Sequence, residues 1–313
     1  MGAWLVPHLL ADGHKVTVYD SLLFGRGFLP DNGMLTVIKG DVRDTSSWSE
    51  ACDKQDAVIY LASISRELMC QQNEQLAHAV NVAAFEPAVI KAKRRGVRRF
   101  IYASSVAVYG SSDHEMTEDE PLAPTTIYGR GKAACEAILF SHQSDDFCCT
   151  VTRSASVCGY SPRMRLDLTI NRMVHDAVRK DVITVEGGEQ VRSHIHIKDI
   201  CRFYQYLLNE ERGMVAGQAY NVVLCNETVS ETAHDIWRIF INPPREKWVE
   251  VKTVPRVDNR SYAVSGAKMR STGFAPQFST EDAIRDVKLR LEAGYWPDSE
   301  TNPQYQNLAH GIV

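Results

Sequence analysis

Apolar and polar positions divide the chain into short hydrophobic runs separated by longer stretches of mixed character. The runs at 15–20, 35–39, 56–63, 98–105 and 149–157 have the length of strands, and the later three are apolar enough to be buried on both faces of a parallel sheet. Between them, 2–13 (with Gly13 as the stop), about 73–95 and about 126–142 read as helices. Strands and helices in alternation predict an α/β fold with a doubly wound parallel sheet. After residue 157 the alternation ends, which predicts a smaller C-terminal lobe. Its segments are a turn at Glu186-Gly187-Gly188, a strand carrying His194 and His196, helices over 200–209, 228–240 and 281–292, and an extended stretch over 248–254. Asp199 is expected to cap the 200–209 helix and Asp44 the one that follows it. No internal repeat and no low-complexity segment interrupts the pattern.

The chemistry is concentrated in residues 98–132. The run Arg98-Arg99-Phe100-Ile101-Tyr102-Ala103-Ser104-Ser105 leads into Val106-Ala107-Val108-Tyr109-Gly110, and a polar loop then brings Tyr128-Gly129-Arg130-Gly131-Lys132. Residues four apart share one helix face, so the Lys132 ammonium is expected beside the Tyr128 phenol, where it favours the ionised form. A phenolate near neutral pH is a usable base. With a hydroxyl at a strand end, this pair forms a hydride-transfer site.

In order and spacing, these segments and the loop Thr117-Glu118-Asp119-Glu120-Pro121-Leu122-Ala123-Pro124 resemble the extended short-chain dehydrogenase/reductases, in particular nucleotide-sugar epimerases and dehydratases. The resemblance runs from Gly2 to about Pro276. It implies a Rossmann-type NAD-binding domain over 1–157 and a nucleotide-sugar-binding lobe over 158–313, with about 191–225 returning to the first domain. It also implies Ser105, Tyr128 and Lys132 as the catalytic residues, Ser105 being the hydroxyl that holds the substrate oxygen. On the cofactor side Gly2 matches the third glycine of the dinucleotide fingerprint, and Asp20 stands where an acid meets the adenosine ribose hydroxyls, which favours NAD. Arg26 is a rival that would meet the extra phosphate of NADP. Asp41 and Val42 match the adenine edge, Leu61 and Ala62 lie where the cofactor passes, and Asn81 matches an asparagine that steadies the active-site strand ends. On the substrate side, Asn171, Arg192 and Arg260 match groups that meet a nucleotide diphosphate. Cys158 stands where the family usually has an aromatic residue. The resemblance further suggests a homodimer through helices 74–95 and 126–142, with Leu76, Val80, Ala84, Ala134 and Ile138 as the apolar stripe.

In the family, a strand and a glycine-rich turn precede the segment that starts at Gly2. The expectation is therefore that the natural protein begins some 10 to 20 residues upstream, about the length of a strand and its turn. Without that strand, its two neighbours should be left with unpaired edges and an apolar slot between them.

Charge and cysteine content narrow the function classes. A net charge of -4 gives no global reason to bind nucleic acid, and the basic run 91–95 suits a helix C-terminus. Eight cysteines without a Cys-x-x-Cys pair predict a reduced, cytoplasmic chain rather than a disulfide framework. No apolar run approaches the roughly 18 residues that span a membrane. His194 and His196 lack a nearby third ligand, so no metal is expected. The leading reading is an NAD-dependent 4-epimerase of a nucleotide-diphosphate sugar. A 4,6-dehydratase would carry an Asp-Glu pair where this chain has Val106 and Ala107, and a 3,5-epimerase would need a cysteine beside the hydroxyl residue. A nucleotide-ketosugar reductase and a non-catalytic nucleotide-binding protein remain open.

Overall fold

The computed structural model describes residues 1–241, 248–255 and 261–307. Its elements up to the end of the sixth strand are α1 (Gly2–Ala11), β1 (Val16–Asp20), β2 (Leu35–Lys39), α2 (Thr45–Ala51), β3 (Ala57–Tyr60), α3 (Glu67–Gln72), α4 (Glu74–His78), a π-helical turn (Ala79–Ala83), α5 (Phe85–Arg94), β4 (Arg99–Ser105), a 3-10 turn (Val106–Tyr109), β5 (Glu115–Met116), α6 (Ile127–Ser141) and β6 (Cys148–Ser154). Then come β7 (Ser156–Cys158), α7 (Thr169–Lys180), β8 (Val182–Glu186), β9 (Val191–His196), α8 (Ile197–Asn209), α9 (Arg212–Val215), β10 (Gln218–Val222), β11 (Cys225–Thr228), α10 (Val229–Ile241), β12 (Glu250–Val254), β13 (Ala263–Val264), α11 (Ala267–Ser271) and α12 (Thr280–Glu292).

Strands β3, β4, β6 and β10 form an all-parallel sheet in the order β10-β6-β4-β3. Alternation along β4 sends Phe100 and Tyr102 to one face, where they join Trp48, Phe85 and Phe147 from the helices and loops of that side. Ile101 and Ala103 go to the other face, against Leu5, Leu9, Phe203 and Tyr204 of α1 and α8. Both faces of this strand are therefore dry, as its unbroken apolar sequence requires. A separate core built on α7, α10 and α12, with Met164, Val174, Ile236 and Val287, fills the lobe. Strand β10 comes from residues 218–222 and lies at the outer edge of the parallel sheet, so the chain crosses back to the first unit after the lobe has begun.

Strand β1 pairs with β2 in a second, two-stranded parallel sheet, and among the described residues neither strand pairs with β3. The two pieces face each other across a large cavity lined on these sides by Val16, Val18, Ala57 and Ile59. Trp48 bridges them, its ring edge-on to Tyr19 at 5.5 Å and to Tyr60 at 5.7 Å.

Three local readings change. The single strand expected over 149–157 breaks at Ala155, with β6 in the parallel sheet and β7 paired with β9 in another. The helix expected over 73–95 contains a π-helical turn at Ala79–Ala83, with the α-helix resuming at Phe85. Pro87 lies just inside the resumed helix and has no N–H to donate back to Ala83, which accounts for a wide turn there. Asp199 is not an N-cap. Helix α8 begins earlier, capped by the His196 ring, which accepts from the Lys198 N–H. The buried Asp199 carboxylate instead accepts from the backbone of Gln277 and Phe278 and pairs with Arg202 at 2.6 Å. Asp44 does cap α2, accepting from the N–H groups of Ser46 and Ser47.

Candidate active site

Helix α6 is placed by three contacts at its start. The Thr126 hydroxyl accepts from the Gly129 N–H, and the Glu67 carboxylate accepts from the N–H groups of Ile127 at 3.1 Å and Tyr128 at 3.0 Å. A carboxylate at this end also suits the helix dipole. Gly129 lets the helix approach the 3-10 turn closely, since a Cβ there would lie 2.6 Å from the Ala107 carbonyl oxygen. The turn ends at Gly110, whose φ of +80° and whose contact with the Ala123 carbonyl both require glycine. Glu67 was not singled out by motif or spacing, because it comes from a helix 60 residues earlier.

These contacts bring Ser105, Tyr128 and Lys132 together on the wall of one cavity of about 1720 Å³. Ser105 ends β4, and its hydroxyl accepts from the Ala107 N–H at 3.2 Å. Enclosure pushes the Tyr128 phenol well above its ordinary pKa, and the Arg165 charge and a hydrogen bond with Ser105 oppose that shift. Lys132 is buried. Its ammonium donates to the Ala103 carbonyl at 2.6 Å and sits 5.5 Å from the Tyr128 ring centre. Burial lowers it to about 8, against the opposing influence of Cys135, Glu136 and Cys70. The charge that leads in favouring a Tyr128 phenolate here is thus that of Arg165, a residue outside the Tyr-x-x-x-Lys motif.

The cavity is also lined by Gly2, Asp20, Asp41, Val42, Leu61, Ala62 and Asn171. Asp20, at the end of β1, accepts from the Leu22 N–H at 2.7 Å and forms no ion pair at contact distance among the described residues. It is therefore available for hydroxyl donors such as those of a ribose. Arg26 faces Asp31 at 3.5 Å and does not line the cavity. The Asp41 carboxylate is held by Arg43 at 2.6 Å, which keeps it below the usual carboxylate range. Asn171 uses both ends of its amide internally, accepting from the Gly159 N–H and donating to the Arg165 carbonyl. A dinucleotide fits this donor set: an acid at one end, a phenol, a hydroxyl and an ammonium at the other.

Two of the expected residues, Asn81 and Arg192, do not line the cavity. Asn81 lies behind the wall, where its amide accepts from the Ile64 N–H and donates to the Ile64 carbonyl, fixing the chain after β3. Arg192, on β9, is not among the lining residues, and its guanidinium donates to the Val191 carbonyl. Arg260 falls outside the described residues. All eight cysteines are free thiols. Cys158 is buried and donates to the Ile195 carbonyl. No group of three or more metal-binding side chains occurs among the described residues, and no helix among them is long and apolar enough to cross a membrane.

A family model described as "NAD dependent epimerase/dehydratase family" matches residues 1–222. The chain belongs to that family. A dTDP-glucose 4,6-dehydratase of Streptomyces griseus is 27% identical over 302 residues, covering 91% of this chain and 88% of the relative. Among solved structures, DesIV, a dTDP-glucose 4,6-dehydratase from Streptomyces venezuelae with NAD bound, superposes with a TM-score of 0.81 at 24% identity, covering 95% of this chain and 96% of that one. The UDP-glucose 4-epimerase of Thermus thermophilus, in complex with NAD, gives a TM-score of 0.81 at 20% identity, covering 93% of this chain and 95% of that one. The family thus includes both reaction types, and the fold does not separate them.

Proposed function

We propose that the chain is an NAD-dependent epimerase that inverts C4 of a nucleotide-diphosphate sugar. The supporting observation is the meeting of Ser105, Tyr128 and Lys132 at the end of β4, in a cavity that also holds the free carboxylate of Asp20. Bound NAD supplies a reversible hydride acceptor. As phenolate, Tyr128 takes the proton of the sugar hydroxyl and later returns it. Ser105 donates to that oxygen and holds it in place. Lys132 bonds the nicotinamide ribose. Return of the abstracted hydride to the other face of the turned-over ketosugar, with Tyr128 giving the proton back to its oxygen, would restore the starting redox state, so no net oxidation results.

Dehydration needs more. Elimination of water requires an acid and a base beside the hydroxyl residue, and those positions hold Val106 and Ala107. Glu67, a nearby carboxylate in the cavity wall, is already bound to two backbone N–H groups of α6. These features favour epimerase over dehydratase, despite the identity to a dehydratase.

The test is turnover of UDP- and dTDP-hexoses by purified protein, followed by chromatographic separation of C4 epimers. Tyr128→Phe is expected to lower kcat by about 10²- to 10⁴-fold while leaving NAD binding within about twofold. Stoichiometric consumption of added NADH without epimer formation would replace the epimerase reading with a ketosugar reductase. Accumulation of a 4-keto-6-deoxy product would show dehydration after all.

A further inference from the structure

We propose that Arg163 and Arg165 form an anion-binding wall of the cavity that takes the diphosphate of the dinucleotide. The proposal rests on the NAD-dependent reading above and concerns residues that neither the sequence motifs nor the family match assigns. Both arginines line the cavity, together with Asp20, Phe24, Ser65 and Tyr128. They lie in the loop between β7 and α7, held by the lobe rather than by the parallel sheet.

Their partners leave positive charge over. The Arg165 fork bonds both Asp167 oxygens, at 3.0 and 2.6 Å, and its third arm donates to the Ser65 hydroxyl at 3.0 Å. Arg163 has only neutral partners among the described residues. Its Nη2 donates to the Gln304 carbonyl and the Asn307 amide oxygen, and its guanidinium stacks 3.8 Å from the Phe24 ring centre. The Nε and Nη1 of Arg163 donate to no described residue. Of the two neighbouring guanidiniums, that of Arg165 alone has a carboxylate in contact. Burial and the neighbouring Arg165 lower Arg163 to about 10, a cost that a bound anion would remove.

Position along the cavity identifies which anion. Arg163 is near enough to Asp20 that the carboxylate counteracts this lowering, and Arg165 is near enough to Tyr128 to act on the phenol. Arg163 stacks on Phe24, four residues beyond Asp20, and Arg165 bonds Ser65, two residues before the Glu67 that holds the Tyr128 N–H, so the pair lies between Asp20 and Tyr128. A dinucleotide bound with its adenosine ribose at Asp20 and its nicotinamide ribose at Tyr128 and Lys132 has its diphosphate between them. A guanidinium fork suits phosphate oxygens, in bidentate geometry.

Diphosphate also occurs in a nucleotide sugar, so titration calorimetry with two probes separates the sources. ADP-ribose carries the cofactor's diphosphate and UDP the substrate's. Arg163→Gln and the double variant Arg163→Gln/Arg165→Gln are expected to bind ADP-ribose at least about tenfold more weakly, or 1.4 kcal/mol, with UDP affinity within about twofold of wild type. Arg163→Lys should recover part of the loss. In wild-type protein, which needs no variant to fold, ADP-ribose affinity should fall between 50 and 300 mM salt while adenosine affinity holds. Unchanged ADP-ribose affinity in folded variants overturns the proposal and leaves the NAD-dependent reading standing. Loss confined to UDP also overturns it, assigning the pair to the substrate diphosphate. If wild-type protein binds neither ADP-ribose nor NAD, both fail.

Discussion

Lys132 is 3% exposed, donates to one backbone carbonyl, and is lowered to about 8 by burial. In the unfolded chain a lysine titrates near about 10.4. Below pH 8 both states are charged and the folded state carries the full desolvation cost, on the order of 3 kcal/mol. As pH rises from about 8 to about 10.5 the folded state sheds its proton first, so the unfolded chain binds more protons and stability rises with pH. Lys132→Met should therefore stabilise the ligand-free protein at pH 7, with a gain that disappears by about pH 10.5. Urea unfolding of both forms at pH 7, 9 and 10.5 measures this. A difference that stays flat over the window would show that Lys132 is not held as a desolvated ammonium. Keeping a charge at this cost fits a residue retained for a ligand.

Helix α6 carries Tyr128 and Lys132, and its lower half is fixed by a buried ion pair. Glu136, one turn beyond Lys132, accepts two bonds on one oxygen from Arg153 Nε and Nη2, at 3.0 and 2.8 Å, and also accepts from the Ser104 hydroxyl. Arg153 donates further to Tyr109 at 2.8 Å and to the Glu118 carbonyl at 3.2 Å. Tyr109 in turn donates to Asn221 of β10. One network thus ties α6 to β4, to the 3-10 turn, to the 117–120 loop and to β6 and β10. Replacing Arg153 by Met leaves the Glu136 carboxylate buried without its partner and should cost about 3–5 kcal/mol. The double variant Glu136→Leu/Arg153→Met should recover most of that loss, because an apolar pair of similar volume needs no desolvation. Guanidinium unfolding of the three proteins checks it; a double variant as unstable as the single one would mean the network's other bonds dominate.

For the whole molecule, the expected two-fold pairing of helices 74–95 and 126–142 remains a proposal, and the stripe assigned to it needs one change. Ala84 is 5% exposed and packed in the core with Phe85 and Ala88, so it has nothing to offer a second chain. Leu76, Val80 and Ile138 are half-buried, and Ala134 is exposed. Light scattering at micromolar concentration should give twice the chain mass of 35.1 kDa, and Ile138→Asp together with Val80→Asp should reduce it to one. A monomer mass for the wild-type protein would remove the interface from the account.

Local pattern alone determined the strand at 98–105, the helix behind Tyr128, and the placing of Tyr128 and Lys132 on one helix face; packing of that helix against β4 brought Ser105 to them. Strand burial is written in unbroken apolar runs, and an i to i+4 pair needs only one helix to meet. The Asp44 cap was equally local, two and three residues from the amides it satisfies. What the tertiary structure decided involves partners far apart in the chain. Glu67 reaches α6 across 60 residues, and Arg163 meets Asn307 across 144. Asp199 answers to amides at 277 and 278 rather than to its own helix. Asn81 and Arg192 match a motif, yet packing sets the first behind the wall and leaves the second off it. Whether a side chain faces a cavity or only lies near one depends on how separate elements pack, and no spacing along the chain records that.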